Sequence, residues 1–131
     1  MRRKLSVLRA SNRILKSGAR TAFLVIEPGA GLEPRLRRRA ARVGPAAVSV
    51  RTSYAGMLNT ARFSEITEQD LTRTFRETQL DWIDAYDAHE NELRKTIGSD
   101  VFDERQAGRH QVVKAIDDNT LRRTLYTAVR R

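Results

Sequence analysis

Ser53-Tyr54-Ala55-Gly56-Met57-Leu58-Asn59-Thr60-Ala61-Arg62-Phe63 is the stretch on which the fold class turns. Tyr54, Met57, Leu58 and Ala61 stand at i, i+3, i+4 and i+7, which on a 3.6-residue period makes one continuous apolar face. The spacing predicts a helix over residues 46–63. Downstream, Ser64 suits an N-cap, and Glu65 and Glu68 would fall in the first turn of a second helix over 65–78, where the helix dipole favours acids. Its seam is Leu71 and Phe75, with Arg73 and Arg76 on the opposite side. A third helix, over 79–97, sets Trp82, Ile83, Tyr86, Leu93 and Ile97 on one stripe, and Gly98 is a fitting stop. Glu90 falls within that stripe, so its carboxylate would need a partner or a polar cavity. Short connections make the three helices antiparallel neighbours.

The expected fold class is therefore all-α: a small antiparallel three-helix bundle over 46–98, preceded by a basic arm and linker over 1–45 and followed by a helical extension over 99–131. In the extension, Val101 and Phe102 read as a docking pair, and Val112, Val113 and Ile116 as a helix near 105–117. Leu121, Leu125, Ala128 and Val129 read as a final amphipathic helix ending in Arg130-Arg131.

Composition sets the outer bounds. With 131 residues there is material for one modest domain. Apolar residues are 40% of the chain but aromatics only 6%, so the core must be mostly aliphatic. The absence of cysteine excludes disulfide scaffolds, thiolate zinc sites and thiol catalysis. The longest apolar run, residues 22–26, is too short to span a bilayer, so no membrane span is expected.

Charge is the informative quantity. The net value is +9, but residues 1–62 carry +12 and residues 63–131 carry −3. A basic arm on a mildly acidic body points to a polyanionic partner: nucleic acid, an acidic protein or anionic lipid. Arginines outnumber lysines twenty-one to four, which suits planar phosphate and carboxylate contacts.

Residues 1–26 contain no acid, several Ser and Thr, and arginines spaced through Leu5, Leu8 and Leu15. That is the composition of a mitochondrial transit peptide, and equally of a basic arm that docks on RNA. Residues 27–47 form a connector broken by Pro28, Gly29, Gly31, Pro34, Gly44 and Pro45. Within it Arg35, Arg37, Arg38, Arg39 and Arg42 place five arginines in eight residues, a candidate polyanion-binding run for ribosomal RNA or another anion. Zinc-finger spacing and aromatic-studded strands are both lacking, which argues against base-specific readout.

Catalytic signatures are likewise missing from the residue pattern. His89 and His110 have no second ligand at metal spacing, and Asp81, Asp84 and Asp87 read as a solvated acidic face. Gly29-Ala30-Gly31 is expected to lack both the lysine and the following helix of a phosphate-binding loop. The expectation is a protein without catalysis, without a metal and without a directly bound cofactor.

With the helices drawn in this way, the middle of the chain resembles the LYR (complex I LYR-like) family of small mitochondrial three-helix proteins. Tyr54, the Met57-Leu58 pair and Arg62-Phe63 match the first-helix motif, with Ser53 and Ala55 where the family has Leu and Arg. Arg73-Thr74-Phe75-Arg76-Glu77-Thr78 is similar to the second-helix element, and Ile83 through Leu93, with His89-Glu90-Asn91-Glu92 between, to the third. The resemblance implies a mitochondrial-matrix accessory or assembly subunit of a large complex, either a respiratory complex or the assembling mitochondrial ribosome. Its partner would be an acyl carrier protein gripped by Arg51, Tyr54, Arg62, Phe63, Arg73 and Arg76. The partner's acyl-phosphopantetheine would insert among Met57, Leu58, Phe75, Ile83 and Tyr86. Two alternatives stand beside it on composition: a ribosomal-RNA-binding structural protein and a phage virion connector subunit.

Overall fold

The computed structural model describes residues 2–43 and 53–131, and it is an α/β fold rather than a helical bundle. Helix α1 (Arg2–Ile14) leads through a turn at Gly18, whose φ of 79° suits glycine, into strand β1 (Arg20–Pro28). Helices α2 (Pro34–Val43) and α3 (Tyr54–Thr60) precede strand β2 (Phe63–Asp70). Helices α4 (Thr72–Ala88), α5 (Glu90–Ile97) and α6 (Ser99–Asp117) then carry the chain to strand β3 (Leu121–Arg130).

The sheet order is β1-β3-β2. The last strand is thus the central one, antiparallel to both neighbours, which are therefore parallel to each other. β1 runs in unbroken register with β3 from Arg20 opposite Val129 to Pro28 opposite Leu121. β2 pairs through a bulge between Ser64 and Thr67, where Glu65 takes a φ of 48°.

Period-2 alternation sorts the strand residues onto two faces. On one, Phe23, Val25, Tyr126 and Ala128 meet Leu8 of α1 and Tyr54, Met57 and Leu58 of α3, with Phe63 beside them. On the other, Leu121 packs with Ala40 of α2, Phe75 of α4 and Ala115 and Ile116 of α6. Helices thus cover both faces, a three-layer α/β/α arrangement.

Four expectations are corrected. The predicted second helix begins where β2 lies: Ser64 caps nothing, and its Oγ donates instead to the Val129 carbonyl at 3.4 Å. α4 starts only at Thr72, whose N–H donates to the Asp70 carboxylate at 2.9 Å. The predicted final helix is β3, paired with β1 and β2 along its two edges; Leu121 and Leu125, four residues apart, share a face on either period, so their spacing does not discriminate. The predicted third helix breaks at His89, so Glu90 opens α5 in an exposed position and pairs with Arg94 at 3.5 Å. Finally, α2 does follow Gly29-Ala30-Gly31. The first predicted helix survives only as Tyr54–Thr60, and its residues 46–52 lie outside the described residues.

Candidate functional site

Glu27 is one of only two acids in the first 62 residues, and it sits at the carboxyl end of β1. Alternation puts it on the same face as Phe23 and Val25, and the register sets it opposite Arg122, with Thr124 and Tyr126 further along β3 on that face. It is buried, with 4% of its surface exposed. A carboxyl group so buried is tolerated only if it is paired and hydrogen-bonded. Glu27 meets that demand on a single oxygen, Oε1. Arg122 donates to it from Nε at 3.0 Å, with its terminal nitrogen at 2.9 Å. The Thr124 hydroxyl donates at 2.9 Å and the Tyr126 hydroxyl at 2.8 Å.

The surroundings respond to that charge. Burial, reinforced by the hydrogen bond to Glu27 and by nearby Glu68, holds the Tyr126 hydroxyl far above the usual phenol range. Tyr54 is raised by burial first and by Glu27 second. Burial is the largest single influence and would lower Arg122, but the attraction of and hydrogen bond to Glu27, with Tyr126 and Glu68, together outweigh it and the net shift is upward. Lys4, 5.6 Å from the Tyr54 ring centroid, is lowered by burial against the pull of Glu27. Rings of Phe23, Tyr54 and Tyr126 close the apolar side, with centroids 5.4 to 5.9 Å apart.

Asp70 ends the parallel strand β2, where the Thr72 hydroxyl and N–H hold its carboxyl below the usual range. Two carboxyl groups thus mark the carboxyl ends of the two parallel strands, and Arg122 acts electrostatically on both. Open α/β sheets bind ligands at this end. Chemically the cluster can accept a proton or a hydrogen bond at a fixed point beside an aromatic wall. Among the described residues, no three His, Asp or Glu side chains converge as a metal site.

The residues expected to form a site are dispersed. Tyr54 and Phe63 are buried core side chains. Arg62, in left-handed backbone at a φ of 68°, joins Arg9, Arg13 and Arg130 around a cleft at the start of β2. Arg73 and Arg76 lie beyond the other end of that strand, paired with Glu77 at 3.4 Å and Asp117 at 2.7 Å. Arg51 lies outside the described residues. The expected acyl pocket is split by the sheet. Met57 and Leu58 are on one face and Phe75 is on the other. Ile83 and Tyr86 are buried on α4, where Tyr86 stacks on Phe102 of α6. Arg35, Arg37, Arg38, Arg39 and Arg42 do share one helix, α2, and all are exposed.

No family model matches the sequence, and no curated protein matches it. Solved structures do. Phosphoethanolamine N-methyltransferase 2 of Haemonchus contortus, solved with S-adenosyl-L-methionine, superposes with a TM-score of 0.81 at 14% identity, over 96% of this chain and 29% of that one. The cyclopropane synthase MmaA2 of Mycobacterium tuberculosis gives 0.77 at 13% identity, over 98% of this chain and 50% of that one. The [4+2]-cyclase SpnF gives 0.70 at 18% identity, over 99% and 45%. At these identities the likeness shows the fold, and the chain spans half or less of each of these structures. The finding corrects the expectation of an LYR-type accessory subunit without catalysis, serving mitochondrial or ribosome assembly and binding acyl carrier protein. The fold is one that methyltransferases carry, not a three-helix bundle, and the virion alternative loses its helical-bundle basis with it.

Proposed function

We propose that this chain forms the acceptor-side portion of a methyltransferase-type catalytic domain, with the Glu27 cluster facing the acceptor substrate. The observation that carries the reading is the convergence of Arg122, Thr124 and Tyr126 on a buried carboxyl group at the carboxyl end of β1. A fold-level likeness to methyltransferases, across 96% of this chain, supports that reaction class by analogy. Glu27 would receive a hydrogen bond or proton from the acceptor's amine or hydroxyl, while Arg122, Thr124 and Tyr126 keep it in place.

Donors such as S-adenosylmethionine make further demands that the described residues do not meet alone. A nucleoside is commonly cradled by a glycine-rich turn whose main chain approaches the ligand closely. Here the turn after β1 is already filled: a Cβ at Gly29 would run into the Asn119 carbonyl oxygen, and the Gly29 N–H donates to Thr120 at 3.0 Å. The helix that follows begins with Pro34, which has no N–H, and carries five arginines that would repel a sulfonium. Nothing in the reaction is therefore assigned here to the donor.

The test is a titration with S-adenosylhomocysteine of the protein as expressed from its own gene, with any chain that remains bound, followed by turnover assays. Binding with a Kd below about 1 mM is expected, within the ordinary range of enzyme–substrate affinities. Glu27→Gln should lower turnover by about 10²-fold or more with the circular dichroism spectrum unchanged. Absence of binding, or a folded Glu27→Gln protein of undiminished turnover, would refute the reading.

A further inference from the structure

Several arginines of the fold are matched by acids: Arg73 by Glu77, Arg76 by Asp117, Arg94 by Glu90 and Asp103, and Arg122 by Glu27. Arg9, Arg13, Arg62 and Arg130 are not. They converge on one cleft of about 390 Å³ with Asn12 and Thr60, and no Asp or Glu lines it with them. No ion pair among the described residues reaches any of the four. Arg9 and Arg13 stand one helical turn apart on α1, a spacing at which like charges repel. The five arginines of α2 are equally exposed, but they fan around their helix, and the cleft beside Arg39 and Arg42 contains Asp118.

Two of the four are held in place through their own hydrogen bonds. Arg62 occupies left-handed backbone whose N–H donates to the Asn59 carbonyl at 3.0 Å and whose carbonyl accepts from the Asn12 amide at 3.1 Å. The Arg130 guanidinium donates to the Leu15 carbonyl and, at 3.5 Å, to the Arg13 carbonyl, where the dipole of α1 is negative. What the cleft lacks is a counter-charge, and its donors are planar forks that match the oxygens of phosphate. Convergence on one cleft selects a compact anion, since a nucleic acid spreads its phosphates along an extended surface. A membrane surface would require apolar side chains beside the charges, and the exposed Val7 and Ile14 lie on another flank of α1 from Arg9 and Arg13.

We propose that this cleft binds a free, compact oxyanion of the phosphate class with two or more negative charges, pyrophosphate or a phosphomonoester, through Arg9, Arg13, Arg62 and Arg130. The site is separate from the Glu27 cluster and does not rest on the function proposed above. At about 3.3 Å per residue, the length of β3 from Arg122 to Arg130 puts the two roughly 25 Å apart. The four arginines come from α1, the turn before β2 and the end of β3, so the anion ties these segments together and stabilises the folded chain.

The experiment titrates the protein, as expressed from its own gene, with inorganic pyrophosphate in metal-free buffer at constant ionic strength. Calorimetry reads the affinity, and circular dichroism reads the melting temperature. Saturable binding and a raised melting temperature are expected. Arg62→Gly removes a guanidinium while giving left-handed backbone the residue that adopts it most readily, so the fold should persist while affinity falls about tenfold or more. Arg9→Gln should weaken binding by a similar factor. Arg38→Gln on α2, with the same loss of charge, and Glu27→Gln, at the other end of the sheet, should each leave the affinity within about twofold. Absence of saturable binding would overturn the proposal, as would an equal loss in Arg38→Gln and Arg62→Gly. A loss in Glu27→Gln matching that in Arg62→Gly would place the anion at the wrong end of the sheet and overturn it too. Two further arms settle the source of the phosphate: an RNA of about twenty nucleotides, and vesicles of phosphatidic acid in phosphatidylcholine. Both are expected to bind no better in the parent than in Arg62→Gly. If either binds more tightly than pyrophosphate and loses that binding in Arg62→Gly, the cleft belongs to a macromolecular surface and the free-anion assignment falls.

Discussion

Three tyrosines occupy three electrostatic settings, and each setting makes a separate prediction about the same functional group. Tyr126 gives its proton to a hydrogen bond with Glu27, and ionising it would set a phenolate against Glu27 and Glu68 in a buried place. Tyr54 is raised by burial and then by Glu27. Tyr86 is shifted the other way, by hydrogen bonds from Arg109 and Arg105, with the Arg105 guanidinium 3.0 Å from its hydroxyl. An ultraviolet titration of phenolate is therefore expected to show one tyrosine ionising below the ordinary value of 10.0 and two above it. Tyr86→Phe should remove only the early step. For Tyr54 and Tyr126 the folded value exceeds the unfolded one, so their contribution to stability is complete below about pH 10 and is lost as pH rises beyond it. Three coincident ionisations near 10 would contradict the structure.

Glu27 also shows how far a single residue can be read from sequence. Its signal was available: an isolated acid closing an apolar run in an otherwise basic half. Its partners were not, because Arg122, Thr124 and Tyr126 stand 95, 97 and 99 residues away and are brought to it only by the β1–β3 register.

At the scale of elements, what separates the legible from the illegible is period. α6 was legible in its second half, from Val112, Val113 and Ile116, and Gly98 does stop α5, with a φ of 89°. Strand β3 was misread as helix because a spacing of four, as from Leu121 to Leu125, places two residues on one face in either conformation, and β2 because Ser64, Glu65 and Glu68 have the chemistry of a helix start. The discriminating signal in β3 was composition: Thr124, Tyr126, Thr127 and Val129 favour strand over helix. Packing then decides which elements hold. β3 is hydrogen-bonded along both edges and buries residues on both faces, whereas α5 buries none. Amide hydrogen exchange followed by mass spectrometry should find β3 the slowest segment and α5 among the fastest, since local opening follows the number of buried contacts. Equal protection of the two segments would show that α5 is covered by a surface outside the described residues.

At the scale of the whole molecule, the sheet joins two cores that share no cluster residue. Leu58, fully buried, belongs to the core under α1 and α3, and Leu121, 1% exposed, to the core under α2, α4 and α6. What links them is β3, which supplies Leu121 to one and Tyr126 and Ala128 to the other. If that link makes the chain one cooperative unit, either Leu58→Ala or Leu121→Ala should move a single unfolding transition, at a cost of about 2–5 kcal/mol each. The sites lie on opposite faces, so in the double substitution the two effects should add within about 0.5 kcal/mol. Denaturant titrations read by circular dichroism and by fluorescence of Trp82, on α4, are the measurement. Coincident curves are expected for both single variants. Leu58→Ala shifting the circular dichroism curve while the fluorescence curve stays in place would mean that the α4–α6 side folds without the other face, and β3 would then be a shared border rather than the element that makes the chain a unit.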